Sequence, residues 1–349
     1  DFQSNGDTKR CASFYRYAYT AENAPSSLWS QPYKVIRFAN NILSALEKLE
    51  LKESEKREFD DIKGQALFLR AMAHFDITKV YGYPYTKDNG ASWGAAIVKT
   101  PTTYNDKPSR STVADCYNKL IIPDLIEASQ LMSGTQSATQ GRVNKWCAEL
   151  LLSRAYLYIG DNKNALSTAI ECIQGAETAG YKLVSNSDYA ASWKGRFSPE
   201  TLFELVNSST DYPGNDGIAY LYWDKGYDDI ILTQSFYDLL ASDKNDVRLS
   251  LTTKGTKKPS SKKYNCYLLK YANDETSTTY SNIVLYRLSE AYLNAAEAAV
   301  KTNDNSSAVK YLNRIVNRAN PAKKVSGNIT ISQVLTERRK ELCGEGHRM

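Results

Sequence analysis

The residues best suited to chemistry in this chain are three acids spaced four apart, Glu337, Glu341 and Glu345, and a set of loop aromatics. At i, i+4 and i+8 the carboxylates share one face of a helix, and paired carboxylates are what general acid–base work requires. Arg338, Arg339 and Lys340 stand beside them, however, and a salt-bridged helix face accounts for the pattern better. A glycoside hydrolase needs two carboxylates about 5–10 Å apart, which spacing along the chain neither supplies nor excludes. The two histidines, His74 and His347, have no ligand-type neighbours and make neither a metal site nor a triad. Asp224, Asp228 and Asp229 lack the spacing of a calcium loop. Six cysteines show no CxxC spacing, and the chain contains no GxSxG, P-loop or GxGxxG. No catalytic residue, cofactor or metal site is expected.

The chemistry that remains is recognition. Tyrosine is over-represented, 25 against 9 phenylalanines, and it joins a flat apolar face to a polar tip, which suits sugar or peptide surfaces. The segment 207–229 concentrates Tyr212, Tyr220, Tyr222, Trp223 and Tyr227 among Gly, Asn and Asp. Aromatics in a loop that cannot build its own core are either anchored on a scaffold or exposed for a ligand. Trp193 and Trp93 occupy separate loops that could fold to the same face, and the five residues from Tyr15 to Tyr19 hold a further tyrosine patch. The competing reading seats many of these rings in helix seams, with Trp223 plugging its loop onto the scaffold. Residues 83–110, rich in Gly, Pro, Thr and Tyr, are too long for a bare connection and read as functional.

Helices must position these loops. From Trp146 to Ala176, Ala148, Leu152, Ala155 and Ile159, then Ala165, Ala169, Cys172 and Ala176, recur at helical spacing around a Gly160-Asp161-Asn162 turn. So short a turn forces an antiparallel pair, and the small residues let the axes approach closely. A shift of 143 residues carries Ala148, Ala155, Asp161, Asn162 and Ala165 onto Ala291, Ala298, Asp304, Asn305 and Ala308. Such a copied helix pair marks a tetratricopeptide-like repeat scaffold. Because 143 is not a multiple of the usual ~34 residues, other structure lies between the copies.

Helices are expected from Val35 to Leu49, from Ile62 to Val80, from Ser111 to Leu131 with a bend at Pro123, from Ile283 onward, and from Ile331 through TERRKELCGEGHRM. The helical scaffold thus covers 28–175 and 283–346 of a single domain, with a loop-rich insert at 180–282. That insert holds one short helix near Gln234–Leu240 and strand-like runs at Thr201–Val206 and Cys266–Tyr271. The fold class is mostly α. Lys+Arg 44 against Asp+Glu 39 leaves +5, too little for a nucleic-acid footprint, and no apolar run reaches the ~18 residues of a spanning helix.

Eight segments in order resemble the SusD/RagB family of Bacteroidetes outer-membrane lipoproteins. They are Trp29, Tyr33, Ile36 and Asn40 in W-x3-Y-x2-I-x3-N; GQALFLRAMAHFDITKVYGYP at Gly64–Pro84; PSRSTVADCYNKLIIPDLIEA at Pro108–Ala128; GRVNKWCAELLLSRAYLYIGD at Gly141–Asp161; PETLFEL at Pro199–Leu205; NDVR at Asn245–Arg248; LYRLSEAYLNAAEA at Leu285–Ala298; and ERRKELCGEGHR at Glu337–Arg348. The resemblance implies a tetratricopeptide scaffold of about eight helices with an irregular ligand-binding face. It further implies a non-enzymatic glycan-binding lipoprotein, held at the outer membrane by an N-terminal lipid anchor that this chain does not include. Its partners would be an oligosaccharide and a SusC-like TonB-dependent transporter. A peptide-capturing member of the family and an intracellular tetratricopeptide adaptor remain as alternatives. None of the eight segments fixes the ligand-binding aromatics by position.

Overall fold

The computed structural model describes residues 1–20, 22–50, 52–135, 141–255, 265–271 and 280–347. They fall into two compact units, one of residues 25–181 and 290–308 and the other of 1–24, 182–289 and 309–348. The chain opens in the second unit with a short strand, β1 (Phe2–Ser4), and a single-turn helix, α1 (Ala12–Arg16), before entering the first.

The first unit is helical. It contains α2 (Ser27–Leu46), α3 (Lys56–Tyr81), α4 (Val113–Cys116), α5 (Ile122–Leu131), α6 (Lys145–Ile159) and α7 (Asn162–Thr178), and takes in most of α11 (Leu288–Lys301). The segment expected to bend at Pro123 is instead wound as a π-helix over Tyr117–Ile121, after which Pro123 sits in the first turn of α5. α4, the π turn and α5 run on in right-handed helical conformation, so the hydrogen-bond ladder adjusts in the turn just ahead of a ring that has no N–H to give it.

The α6–α7 turn has the chemistry its sequence demands. Gly160 takes φ 83°, where a side chain would be strained, and the Asp161 carboxylate accepts from the Asn164 N–H to start α7. In the second copy Asn303 stands 143 residues on from Gly160 and is also left-handed, φ 61°, while Asp304 Oδ1 accepts from the Ser307 N–H at 3.0 Å. Asparagine tolerates that conformation through its short polar side chain, so both turns keep one geometry with different residues. The two copies also touch. Arg154 of α6 makes a two-pronged ion pair with the buried Glu290 of α11, both arms 2.6 Å, and Asn294 donates to Ser153 at 2.8 Å. Ala165 and Ala298, both fully buried, pack with Leu157.

The second unit is mixed. An antiparallel sheet runs in the order β1–β3–β5–β4, with β3 (Ile230–Leu232), β4 (Thr252–Lys254) and β5 (Cys266–Leu268), and Phe2 faces Leu232 across the register. A separate ribbon pairs β2 (Thr201–Leu205) with β6 (Ile283–Arg287). The return of helix expected at Ile283 therefore begins later, at Leu288, because residues 283–287 pair with β2 and act as a strand. Helices α8 (Tyr189–Ser192), α9 (Ile218–Tyr222), α10 (Gln234–Ala241), α12 (Asn305–Ala319, shared with the first unit) and α13 (Ile331–Glu341) complete it.

The acids are salt-bridged as expected, but Glu341 and Glu345 pair with cations from distant elements rather than with Arg338, Arg339 and Lys340 beside them. α13 ends at Glu341, and both carboxylates are buried among cations from distant elements. Glu341 Oε1 accepts from Arg287 at 2.6 Å and from Arg318 at 2.5 Å, and Arg248 reaches its other oxygen at 3.4 Å. Glu345 holds Arg287 at 2.6 Å and Lys270 at 2.6 Å, and Glu200 holds Arg287 at 2.7 Å and Arg318 at 3.2 Å. Burial alone would push the Glu341 carboxyl up, but Arg318, Arg287, Arg248 and Lys270 hold it well below the usual carboxylate range.

Two substitutions test these cores. Ala298→Asp places an unpaired charge where the side chain is fully buried and should cost on the order of 4 kcal/mol or more. Glu341→Ala leaves three arginines without their shared acceptor and should cost roughly 3–5 kcal/mol. Urea denaturation reads both, and a Glu341→Ala protein as stable as wild type would show the cluster to be dispensable.

Candidate functional site

The loop 82–110 begins where α3 stops at Gly82 and returns to the helices at Thr112, whose hydroxyl caps α4. Its first half lies tightly on α4. At Gly94 an added Cβ would stand 2.9 Å from the Cys116 sulfur and 3.2 Å from the Val113 backbone, and Gly90 is left-handed with φ 75°. Only glycine permits both the turn and the approach. Arg110 then binds the loop from within. Its Nε donates to Gly94 O at 2.7 Å, and Nη2 to Trp93 O and Tyr81 O, each at 2.8 Å. Trp93 also forms an isolated bridge with Thr112.

The result is an immobilised backbone carrying a bare ring. Trp93 is 61% exposed, and the same loop displays Tyr83 at 57% and Tyr104 at 100%. Lys87 lies over the Tyr83 ring with its ammonium 3.1 Å from the centroid. Residues 101–110 are exposed throughout. The loop thus exposes aromatic planes with a cation and hydroxyls among its residues and no cluster of acids, groups that suit a polar, flat-faced ligand.

The other six candidates lie in the mixed unit. The segment 207–229 is not wholly irregular. A 3-10 turn at Gly214–Asp216 leads into α9, which places Tyr220 and Tyr222 on a helix. Tyr222 stacks on Phe2 of β1 with centroids 5.1 Å apart, so that face is occupied. Tyr220 contacts Tyr227 edge-on at 4.9 Å and Trp223 at 6.0 Å, and the Arg10 guanidinium covers Tyr227 at 3.4 Å. The rings of Tyr220, Trp223 and Tyr227 form one aromatic cluster, and all three, like Tyr222, are half-buried. Tyr212 stands apart, 41% exposed and edge-on to Tyr280. Trp193 caps the buried charges, its ring above Lys270 at 4.7 Å and Arg287 at 5.4 Å. A cavity beneath it, lined by Glu200, Glu204, Lys270 and Arg287, has room for about one water. Beside Arg10, the α1 region exposes Phe14, Tyr15 and Tyr17. Among the described residues, no group of His, Cys, Asp and Glu is placed to hold a metal ion, and no helix is long and apolar enough to cross a membrane.

Residues 4–157 match the family model described as SusD-like, starch-binding associating with outer membrane, and residues 206–349 match that of the SusD family. A solved structure of a proposed sugar-binding protein from Bacteroides vulgatus ATCC 8482 is 49% identical, covers 100% of this chain and 77% of its own, and superposes with a TM-score of 0.94. The chain belongs to the SusD family. A SusD superfamily protein from Bacteroides vulgatus is 37% identical over 100% of this chain and 79% of its own, TM-score 0.93. Another, from Bacteroides thetaiotaomicron VPI-5482, is 34% identical over 99% and 79%, TM-score 0.91. No curated protein matches the chain. Membership carries the helical SusD-like fold and supports carbohydrate binding, by proteins that are not enzymes and that associate with the outer membrane.

Apart from Tyr83, the SusD motif residues do not supply the exposed rings of this loop; they hold the backbone beneath them. Arg70 grips Asp124 with both arms, 2.7 and 2.9 Å, and gives Nη1 to Asn40 Oδ1 at 3.0 Å and Lys99 O at 2.8 Å. His74, on the core helix α3, takes part as well. Its Nδ1 meets Arg70 O at 2.8 Å and its Nε2 accepts the Val98 N–H at 3.2 Å, which fixes a neutral ring with the proton on Nδ1. Tyr83, Tyr104 and Arg110 were missed as individuals, although the length of their loop pointed to them.

Burial, seconded by the charges of Arg70 and Lys99, lowers the His74 pKa from 6.5 to about 4. The unfolded chain therefore takes up this proton first as the medium is acidified. The stability that depends on neutral His74 is full above about pH 6.5 and lost as pH falls from there to about 4, amounting to about 3 kcal/mol. Stability measured against pH should fall less steeply over that interval in His74→Gln than in wild type; parallel curves would remove His74 from the account.

Proposed function

We propose that this SusD-family protein captures oligosaccharides at the cell surface and passes them to a SusC-like TonB-dependent transporter, held to the outer membrane by a lipid anchor upstream of Asp1. Trp93 is the principal stacking anchor, aided by Tyr83 and Tyr104. Tyr220, Trp223 and Tyr227, with Tyr222 on the same segment, form the second candidate site, and Tyr212 and Trp193 are separate candidates in the same unit. The observation that carries this reading is the 61% exposure of Trp93 on a backbone held at two carbonyls by Arg110. An indole so exposed contributes little to the fold, whereas a sugar's C–H face can desolvate it and its hydroxyls can bond to polar neighbours. Rigid presentation lowers the ordering cost of binding.

A glycan array set against a peptide array tests the ligand class, with peptide-only binding overturning the carbohydrate reading. Calorimetry with the best glycan then tests the site. Trp93→Ala should weaken binding by on the order of 1–3 kcal/mol and leave folding stability within about 0.5 kcal/mol of wild type. Full affinity in Trp93→Ala with loss in Trp223→Ala or Tyr222→Ala would move the site to 207–229; loss in none of these would move it to the tyrosines near α1. Pure protein incubated with polysaccharides should release no new reducing ends, and sustained turnover would make it an enzyme.

A further inference from the structure

Gly94 and Ala95 pair with Ser111, whose carbonyl accepts the Gly94 N–H at 2.7 Å and whose N–H donates to Ala95 O at 2.9 Å. Residues 96–100 then cross α2 and α3, and among the described residues no strand pairs with them. In an ordinary sheet a neighbour would satisfy their backbone groups; here side chains take that neighbour's place one by one. Tyr33 Oη donates to Ala96 O at 3.0 Å and accepts the Ala96 N–H at 2.8 Å, serving both groups of a single residue. His74 Nε2 accepts the Val98 N–H. Asn40 Nδ2 donates to Val98 O and Thr100 O, each at 3.1 Å, and Arg70 Nη1 donates to Lys99 O. These side chains are themselves oriented in series. Asp124 fixes Arg70, Arg70 occupies the Asn40 oxygen, and the Asn40 amide nitrogen is thereby turned toward the segment. Trp93 lies just ahead of Gly94 and Ala95, which lead into this stretch, and residues 101–110, exposed throughout, follow it.

We infer that Tyr33, Asn40, Arg70 and His74 are positioning residues for ligand capture: acting from α2 and α3 as a substitute strand, they fix residues 96–100 and so, together with the Ser111 pairing of Gly94 and Ala95, the place of the Trp93 ring. The inference rests on Trp93 being the ligand anchor. These four groups act on backbone polar atoms, whereas the unit's stability comes from the apolar burial of Ile36, Phe68, Phe75, Ile77 and their neighbours. The ties of Tyr33 and His74 can therefore be cut singly while the core stands; Arg70 is left in place because Asp124 and Asn40 depend on it. Tyr33→Phe removes one oxygen and the two bonds it makes. His74→Leu removes the Val98 acceptor, and His74→Gln offers an amide in its place.

The test is made on ligand-free protein containing 5-fluorotryptophan, whose five indoles give separate fluorine resonances, that of Trp93 assigned by Trp93→Phe. In Tyr33→Phe the Trp93 resonance should shift or broaden while those of Trp146, Trp193 and Trp223 stay in place. Hydrogen exchange at the Ala96 amide should accelerate on the order of tenfold, the loss of one hydrogen bond. His74→Leu should do the same at Val98, and His74→Gln should restore much of the protection. A Trp93 resonance and Ala96 exchange unchanged in Tyr33→Phe would overturn the inference, as would a uniform shift of all five resonances with a lowered melting temperature, which would mark a general structural role. If Trp93 responds as described but Trp93→Ala binds glycan normally, the anchor reading alone falls.

Discussion

The mixed unit depends on the charges around Glu341. Moving a carboxylate or a guanidinium out of water costs several kcal/mol even after relaxation, and only close, well-aligned partners offset it. Glu341, Glu345 and Glu200 face Arg287, Arg318, Arg248 and Lys270, and Asp246 closes the set by holding Arg248 at 2.6 Å. These residues come from the approach to β2, the turn after α10, the end of β5, the end of β6, the end of α12 and the end of α13. With each charge needing partners from several of these elements, the arrangement is satisfied only when all are in place. Such a cluster favours a single assembly more than it adds stability. It suits a unit whose strands are three to five residues long and cannot fix their own register.

The helical unit applies the same device to a different problem. Its helices pack through alanines, and nothing in that packing specifies where the loop 82–110 must lie. The Asp124–Arg70–Asn40 series and the Arg110 fork supply that specification through backbone carbonyls, the groups a loop always has to offer whatever its side chains. Apart from Arg110, the side chains of the loop are thus not needed to fix its path, which is held largely by residues on the helices. This division explains why Trp93, Tyr83 and Tyr104 can be exposed on a loop whose path is fixed.

What the sequence disclosed follows the same line. The helix pair at 146–176 and its copy at 143 residues' distance were legible because small-residue stripes and turn residues are local signals, and the structure adds that Gly160 and Asn303 are equivalents. The strands of β2 and β5 and the helix α10 were legible for similar reasons. β6 was not: IVLYR reads as the start of the helix it feeds, and only its pairing with β2 makes it a strand. The ion pairing of Glu341 and Glu345 was legible but its partners were not: their sequence neighbours are arginines and lysine, whereas the cations they bind lie far away along the chain. Periodicity reports which face a residue occupies, and here it could not tell an exposed face from one buried against charge. The loop 83–110 was flagged by its length, yet its anchors were invisible because hydrogen bonds from side chain to distant backbone leave no pattern in spacing.

The eight segments that announced the family bear on the site in the same way. Tyr33, Asn40, Arg70, His74, Arg110 and Asp124 lie in the first three of them, and Glu200, Arg248, Arg287, Glu341 and Glu345 in the later ones. In this structure every one of these side chains binds backbone or a buried opposite charge. The exposed rings of Tyr83, Trp93 and Tyr104 belong to a different class: they touch solvent. A motif made of buried polar contacts identifies the scaffold and fixes the path of its loops, because a change in any member strands its partners in a medium without water. A ring as open as Trp93 or Tyr104 is under no such demand from the fold. That is why the family could be read from the sequence while the ligand could not, and why the route to the ligand runs through the few rings the scaffold leaves uncovered.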